Sequence, residues 1–137
     1  MKNLSTVIST VILLISPLVV DAKKKAPNKI YKDILAKLEW QMLDKGLHSW
    51  DEAVTNCKNL GKGWDLPTKD DFESGLKGPV LISLPETNTK KDYPFWSQTK
   101  FDTFRVHVLY QGKVDLRDTH SKDEPVIYPV ICCKKTK

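Results

Sequence analysis

Cys57, Cys132 and Cys133 carry the chemistry this chain most directly offers, the oxidation of two thiols to one bridge. One cysteine lies near the start of a domain's length of sequence and two near its end, a usage that fits an exported protein held by a single cystine. Successive residues of a strand face opposite sides, so only one of the vicinal pair can meet Cys57. Cys132 shares a face with Tyr128 and Val130, and Cys133 with Ile127 and Ile131, so alternation alone does not choose between them. A vicinal Cys132–Cys133 bridge is possible but strained. Closing a loop of about 75 residues would contribute about 3–4 kcal/mol in the chain-entropy model. The thiol left over is read as a small buried apolar residue.

Other reactive types are sparser. His48, His107 and His120 show no pair at i, i+3 or i+4, which argues against zinc. Asp115, Asp118, His120, Asp123 and Glu124 crowd one loop and offer oxygen ligands for a hard cation. Their spacing matches no calcium loop, and Arg117 and Lys122 neutralise them, so a solvated loop is expected, with no metal and no cofactor. Nothing in the sequence pairs Cys133 with a histidine base. Gly-x-Ser-x-Gly, a phosphate loop and His-Glu-x-x-His are all absent, and no enzyme is expected.

The elements that must position these residues announce themselves through caps and periodicity. Ser49 with Glu52 forms a capping box, and Trp50, Ala53, Cys57 and Leu60 follow on one helical stripe that Gly61 ends. Thr68 with Asp71 repeats the box for a shorter helix bearing Phe72 and Leu76, ended by Gly75 and Gly78-Pro79. Between residues 30 and 43, helical and strand patterns compete; a first strand is placed at 38–43, turning at Asp44-Lys45-Gly46. The stretch 79–93 is irregular, with a short apolar piece at 80–84. Residues 101–118 form a hairpin. A loop of three residues, pairing Tyr110 with Val114 and Val108 with Leu116, is preferred because a two-residue loop opposes Val108 to Asp115. Residues 126–133, apolar on both faces, form a buried strand.

Residues 1–22 have the form of a secretory signal peptide, with Lys2, an apolar run from Leu4 to Val20 and small residues before a cut at Ala22. Residues 23–37 are then a lysine-rich lead-in and 38–137 a single domain, with no membrane span after cleavage. The formal net charge of +5 favours anionic partners, although 17 acidic residues are interleaved and nucleic acid is not predicted. Lys134, Lys135 and Lys137 could join Lys23–Lys25 in one basic patch if the termini meet.

Trp50-x-x-Ala53-x-x-x-Cys57-x-x-Leu60, then Gly63-Trp64-x-Leu66-Pro67-Thr68, Trp96-Ser97 and a closing cysteine strand resemble the Lcl C-terminal-domain family. The resemblance covers about residues 38–134. It implies an α+β, C-type-lectin-like fold, two helices on a small mostly antiparallel sheet with the termini close. It also implies a Cys57–Cys132 bridge, an extra Cys133, and a core role for the tryptophans and Leu66-Pro67-Thr68. Asp65 stands where the family usually has arginine, and Glu124-Pro125-Val126 lacks the second carbonyl ligand of calcium-dependent lectins, so calcium-dependent sugar binding is not expected. The expected role is a secreted or periplasmic, non-catalytic recognition module for an anionic glycan or a surface protein. The alternative is a structural accessory subunit of an envelope assembly. Candidate ligand residues are Tyr93, Arg105, His107, Arg117, Lys134 and Lys135. Intact mass spectrometry of the exported protein under non-reducing conditions should show a chain beginning at Lys23 with one cystine; a chain retaining Leu4–Val20 would contradict the cut.

Overall fold

The computed structural model describes residues 29–43, 46–85, 87 and 92–137. The signal segment 1–22, Lys23–Lys25 and the turn residues Asp44 and Lys45 lie outside these residues. Among the described residues the chain is α+β. Its strands are β1 (Ile30–Asp33), β2 (Leu38–Met42), β3 (Trp64–Asp65), β4 (Phe95–Lys100), β5 (Arg105–Tyr110), β6 (Lys113–Asp118), β7 (His120–Ser121), β8 (Glu124–Pro125) and β9 (Ile131–Lys135). Its helices are α1 (Trp50–Lys58), α2 (Lys69–Leu76) and α3 (Val80–Ser83). The strands form an antiparallel sheet ordered β1-β2-β9-β3, a second ordered β4-β5-β6, and the small pair β7-β8.

Both capping boxes are present. Ser49 Oγ accepts from the Glu52 amide at 3.2 Å while the Glu52 carboxylate accepts from the Ser49 amide at 3.0 Å. Thr68 and Asp71 do the same for α2 at 3.0 and 2.9 Å. Each box satisfies amides that a helix start otherwise leaves unpaired. Serine hydrogen bonding holds the Glu52 carboxyl below its usual range.

Apolar side chains gather in two cores. Leu38, Trp40, Phe72, Leu81, Leu84, Phe95, Leu109, Ile131 and Cys133 form one. Ala53, Cys57, Leu66, Trp96, Val106, Val108, Val130 and Cys132 form the other. Adjacent residues of a strand point to opposite faces. Phe95 and Trp96, Val108 and Leu109, and Cys132 and Cys133 are accordingly divided between the two. Cys132 is bridged to Cys57, fastening β9 to α1 across the second core.

The described residues hold three helices and three sheets where two helices on one small sheet were expected, α3 lying in a stretch expected to be irregular. Four further details depart from the sequence-based expectation. Ile30–Asp33, inside the proposed lead-in, is an edge strand paired with β2, because Asp33 turns inward and accepts from Trp40 Nε1 at 3.2 Å and from the Ala36 amide at 3.1 Å. The β5–β6 loop has two residues, not three. Gln111 and Gly112 carry φ of 50° and 76°, the pairing a type I′ turn requires, so Val108 does oppose Asp115. That register wastes nothing, because β6 is an edge strand whose Asp115 is exposed while Val108 is covered by the second core. Residues 126–130 make a single bridge, Tyr128 to His48, and the ladder begins only at Ile131, since Pro125 and Pro129 have no N–H to donate.

The fourth departure concerns Gly75, which lies within α2 and does not end it. A Cβ there would stand 2.8 Å from Trp40 Cζ2 and 2.9 Å from Leu81 Cδ2. Trp40 is itself stacked on Phe72 of the same helix, with ring centroids 6.1 Å apart, so it has little room to yield. Helix propensity favours alanine over glycine by about 1 kcal/mol, but overpacking costs about 1–3 kcal/mol, and the clash wins. Gly75→Ala should therefore lower stability by about 1–2 kcal/mol in urea unfolding; a stabilised variant would contradict this packing.

Candidate functional site

The turn from β4 to β5 is organised by one carboxylate. Asp102 Oδ1 accepts from the amides of Phe104 at 3.1 Å and Arg105 at 2.8 Å, and the Arg105 carbonyl accepts from the Phe101 amide at 2.9 Å. Asp102 Oδ2 accepts from Arg105 Nε at 2.8 Å and faces a second guanidinium nitrogen at 2.6 Å. This pairing lowers the Asp102 carboxyl below its usual range and raises the Arg105 guanidinium above its own. So held, the guanidinium lies 4.8 Å from the centroid of Phe101, while His107 meets the same ring edge-on at 6.1 Å. Phe101 remains 55% exposed. Arg105 and His107 alternate along β5 on the side away from Val106 and Val108, whose burial fixes which way the polar pair points.

The sequence expectation named Arg105 and His107 but not Phe101, which it placed at the start of the 101–118 hairpin. The signal that could have found it is Asp102, a residue that readily accepts from amides further along a turn. At the same end, Lys100 lies 5.0 Å over the ring of Trp50, and Trp50 Nε1 donates to the Ser97 carbonyl at 2.8 Å. A cleft of about 110 Å³ there is lined by Ser49, Trp50, Lys100, Thr103, Thr119 and His120, among others.

The remaining candidates go elsewhere. Arg117 opposes Val106 and lies on the other face of the β5–β6 hairpin, 4.8 Å over Tyr110 and 2.7 Å from Asp115. Hydrogen bonding from Arg117 holds the Asp115 carboxyl low. Tyr93 is 43% exposed and lines an apolar pocket of about 370 Å³ with Ile82, Phe95 and Leu109. Lys134 opposes Glu39 and Trp64 in the four-stranded sheet and runs beside Gly63, and Lys135 opposes Leu38. Of the six candidates, only Arg105 and His107 share a site.

Asp115 is engaged by Arg117, His120 Nδ1 lies 3.0 Å from Thr119 Oγ1, and Asp118 opposes Arg105. Among the described residues, no three His, Cys, Asp or Glu side chains gather as a metal would need. His48 serves the fold: its carbonyl accepts from Trp96 Nε1 at 2.8 Å and from the Tyr128 amide at 2.9 Å. No protein-family model matches the chain, and no curated protein was found to match it.

Cys133 is buried in the first core, with its thiol 3.5 Å from Asp71 Oδ2. Burial, reinforced by the neighbouring Asp71 charge, pushes the thiol far above its ordinary value. A nucleophilic cysteine needs the reverse, an electropositive and accessible thiolate. Iodoacetamide at pH 8 should alkylate Cys133 roughly tenfold or more slowly in the folded protein than in denaturant; equal rates, followed by mass spectrometry, would contradict its burial.

Proposed function

We propose that the chain is an exported, non-catalytic recognition module of C-type-lectin-like fold, which binds an anionic glycan at the Phe101–Arg105–His107 face. The observation that carries this reading is an exposed aromatic ring held beside a pinned guanidinium. Asp102 fixes Arg105 in advance of binding, which reduces the side-chain entropy that a ligand would otherwise have to freeze. Its remaining N–H groups can then bond a carboxylate, sulfate or phosphate oxygen with the fork geometry that lysine lacks. Phe101 offers an apolar surface to a sugar ring, and His107 adds a further donor at its edge.

The resemblance to the Lcl C-terminal-domain family supports the fold and the role. A cystine between Cys57 and Cys132 is compatible with a periplasmic or extracellular setting, where such bonds persist. Among the described residues, no helix is long and apolar enough to cross a membrane. The second reading, an accessory subunit of an envelope assembly, draws on exposed apolar side chains, Phe104 at 66% and Ile127 at 48%. Salt-insensitive co-purification with a defined complex would favour it.

Retention on a heparin-like matrix tests the glycan reading. The parent should elute with rising salt, as screened charge pairs do. Phe101→Ala combined with Arg105→Ala should weaken binding about tenfold or more, the scale of losing one anchor. Both side chains are exposed, so the melting temperature should not change. Undiminished retention of the double variant would dismiss this face as the site.

A further inference from the structure

We infer that the β1–β2 hairpin tip docks the molecule on an anionic phospholipid bilayer. The tip, residues 34–37, carries Ile34 at 86% and Leu35 at 76% exposure. Turn positions ordinarily take Gly, Asn, Asp, Pro or Ser, because those residues supply the needed dihedrals or local hydrogen bonds. The Lys37 amide donates to the Ile34 carbonyl at 3.3 Å, Asp33 accepts from the Ala36 amide, and the left-handed residue is Lys37, with φ of 57°, so no Ile34 or Leu35 side chain takes part in the turn's bonding. Ile34 and Leu35 are therefore not required by the turn, and exposing them forgoes burial that apolar side chains otherwise gain. Leu35 leans toward Gly78, where an added Cβ would lie 3.3 Å from its Cδ1, so it is oriented yet left uncovered.

Basic residues frame the tip. Lys32, Lys37 and Lys137 line a surface hollow together with Ile34. Lys135 opposes Leu38, and the Thr136 amide donates to the Lys37 carbonyl at 3.0 Å, tying the C-terminal lysines to the tip. Of the two nearby carboxylates, Asp33 is buried and engaged by Trp40 Nε1 and the Ala36 amide, and Glu39 is half-buried opposite Lys134. The excess is cationic.

An apolar tip within a lysine frame matches a bilayer of anionic lipid more closely than other partners. Lysines are drawn to the negative headgroup layer, and the two apolar side chains can enter the boundary between headgroups and acyl chains. A glycan polymer would be met by the lysines alone, leaving Ile34 and Leu35 without a role. A folded protein partner needs about 1,000 Å² or more of matched surface, which two side chains on a convex turn do not supply. This surface is separate from the Phe101–Arg105–His107 face, and the inference does not rest on the glycan reading.

The test places an environment-sensitive dye at position 34 through Ile34→Cys in the full chain, Cys133 being buried. The probe is read with vesicles of phosphatidylcholine alone and of phosphatidylcholine with about a third phosphatidylglycerol. A blue shift with the anionic vesicles only is expected, and it reports the tip whether or not Leu4–Val20 is retained. Ile34→Asp with Leu35→Asp should reduce co-sedimentation with the same vesicles about tenfold or more at an unchanged melting temperature, these side chains being exposed. Phe101→Ala with Arg105→Ala should leave the shift intact, so the two proposals fail separately. No shift with anionic vesicles, or equal binding by the double aspartate variant, would overturn the inference. So would a tip variant that loses heparin retention but not vesicle binding.

Discussion

Ile131, Cys132 and Cys133 place their side chains on alternate faces of β9, and a core forms on each side of that strand. Cys132 reaches Cys57 of α1 through one core, while Cys133 lies in the other near Trp40 and Asp71. The strand is thus fixed in register by a covalent bond on one face and by close packing on the other. A slip of one residue would exchange the two faces and break both arrangements. The same division recurs at Phe95 and Trp96 and at Val108 and Leu109, so the second sheet shares both cores with the first. For a chain of this size, whose core is modest, covalent closure over a separation of 75 residues is small beside the whole conformational entropy but large beside a net stability of about 5–15 kcal/mol.

Three tryptophan indoles drawn inside each find an acceptor that defines the packing, whereas the buried His48 Nε2 has no partner among the described residues. Asp33 receives the Trp40 indole, the Ser97 carbonyl receives that of Trp50, and the His48 carbonyl receives that of Trp96. Burying an indole without an acceptor would cost the desolvation of its N–H, so each pairing helps select one packing arrangement. The Asp71 carboxylate serves twice, capping α2 and accepting from Cys133.

The β4–β5 turn and the β1–β2 tip differ in construction. On the β4–β5 turn, one carboxylate positions both backbone and guanidinium, giving a polar site whose geometry exists before a ligand arrives. At the β1–β2 tip, apolar side chains stand uncovered and the surrounding lysines act through their field. The first arrangement suits a directional ligand, the second a surface without fixed shape. They are separate faces of one small α+β body, an ordered polar turn and an uncovered apolar tip.

Local signals carried much of the fold. The two capping boxes, the stripe Ala53–Cys57 and the glycine after α1 follow from hydrogen bonding and periodicity within a few residues, and they were legible in the chain. The bridge partner was legible only through family resemblance, because alternation treats Cys132 and Cys133 alike. At the candidate site, Arg105 and His107 were named from the sequence; Asp102 was a turn signal that went unused, and the meeting of the Phe101 ring with the guanidinium exists only once the turn closes.

Sequence by itself determined where helices begin, which residues are apolar and that the ends of the chain can be tied. Tertiary structure alone decided the two-residue β5–β6 loop, the strand hidden at Ile30–Asp33 and the glycine demanded by Trp40 at position 75. Each of those depends on what lies across a sheet or against a helix, and distance through space is not encoded in spacing along a chain.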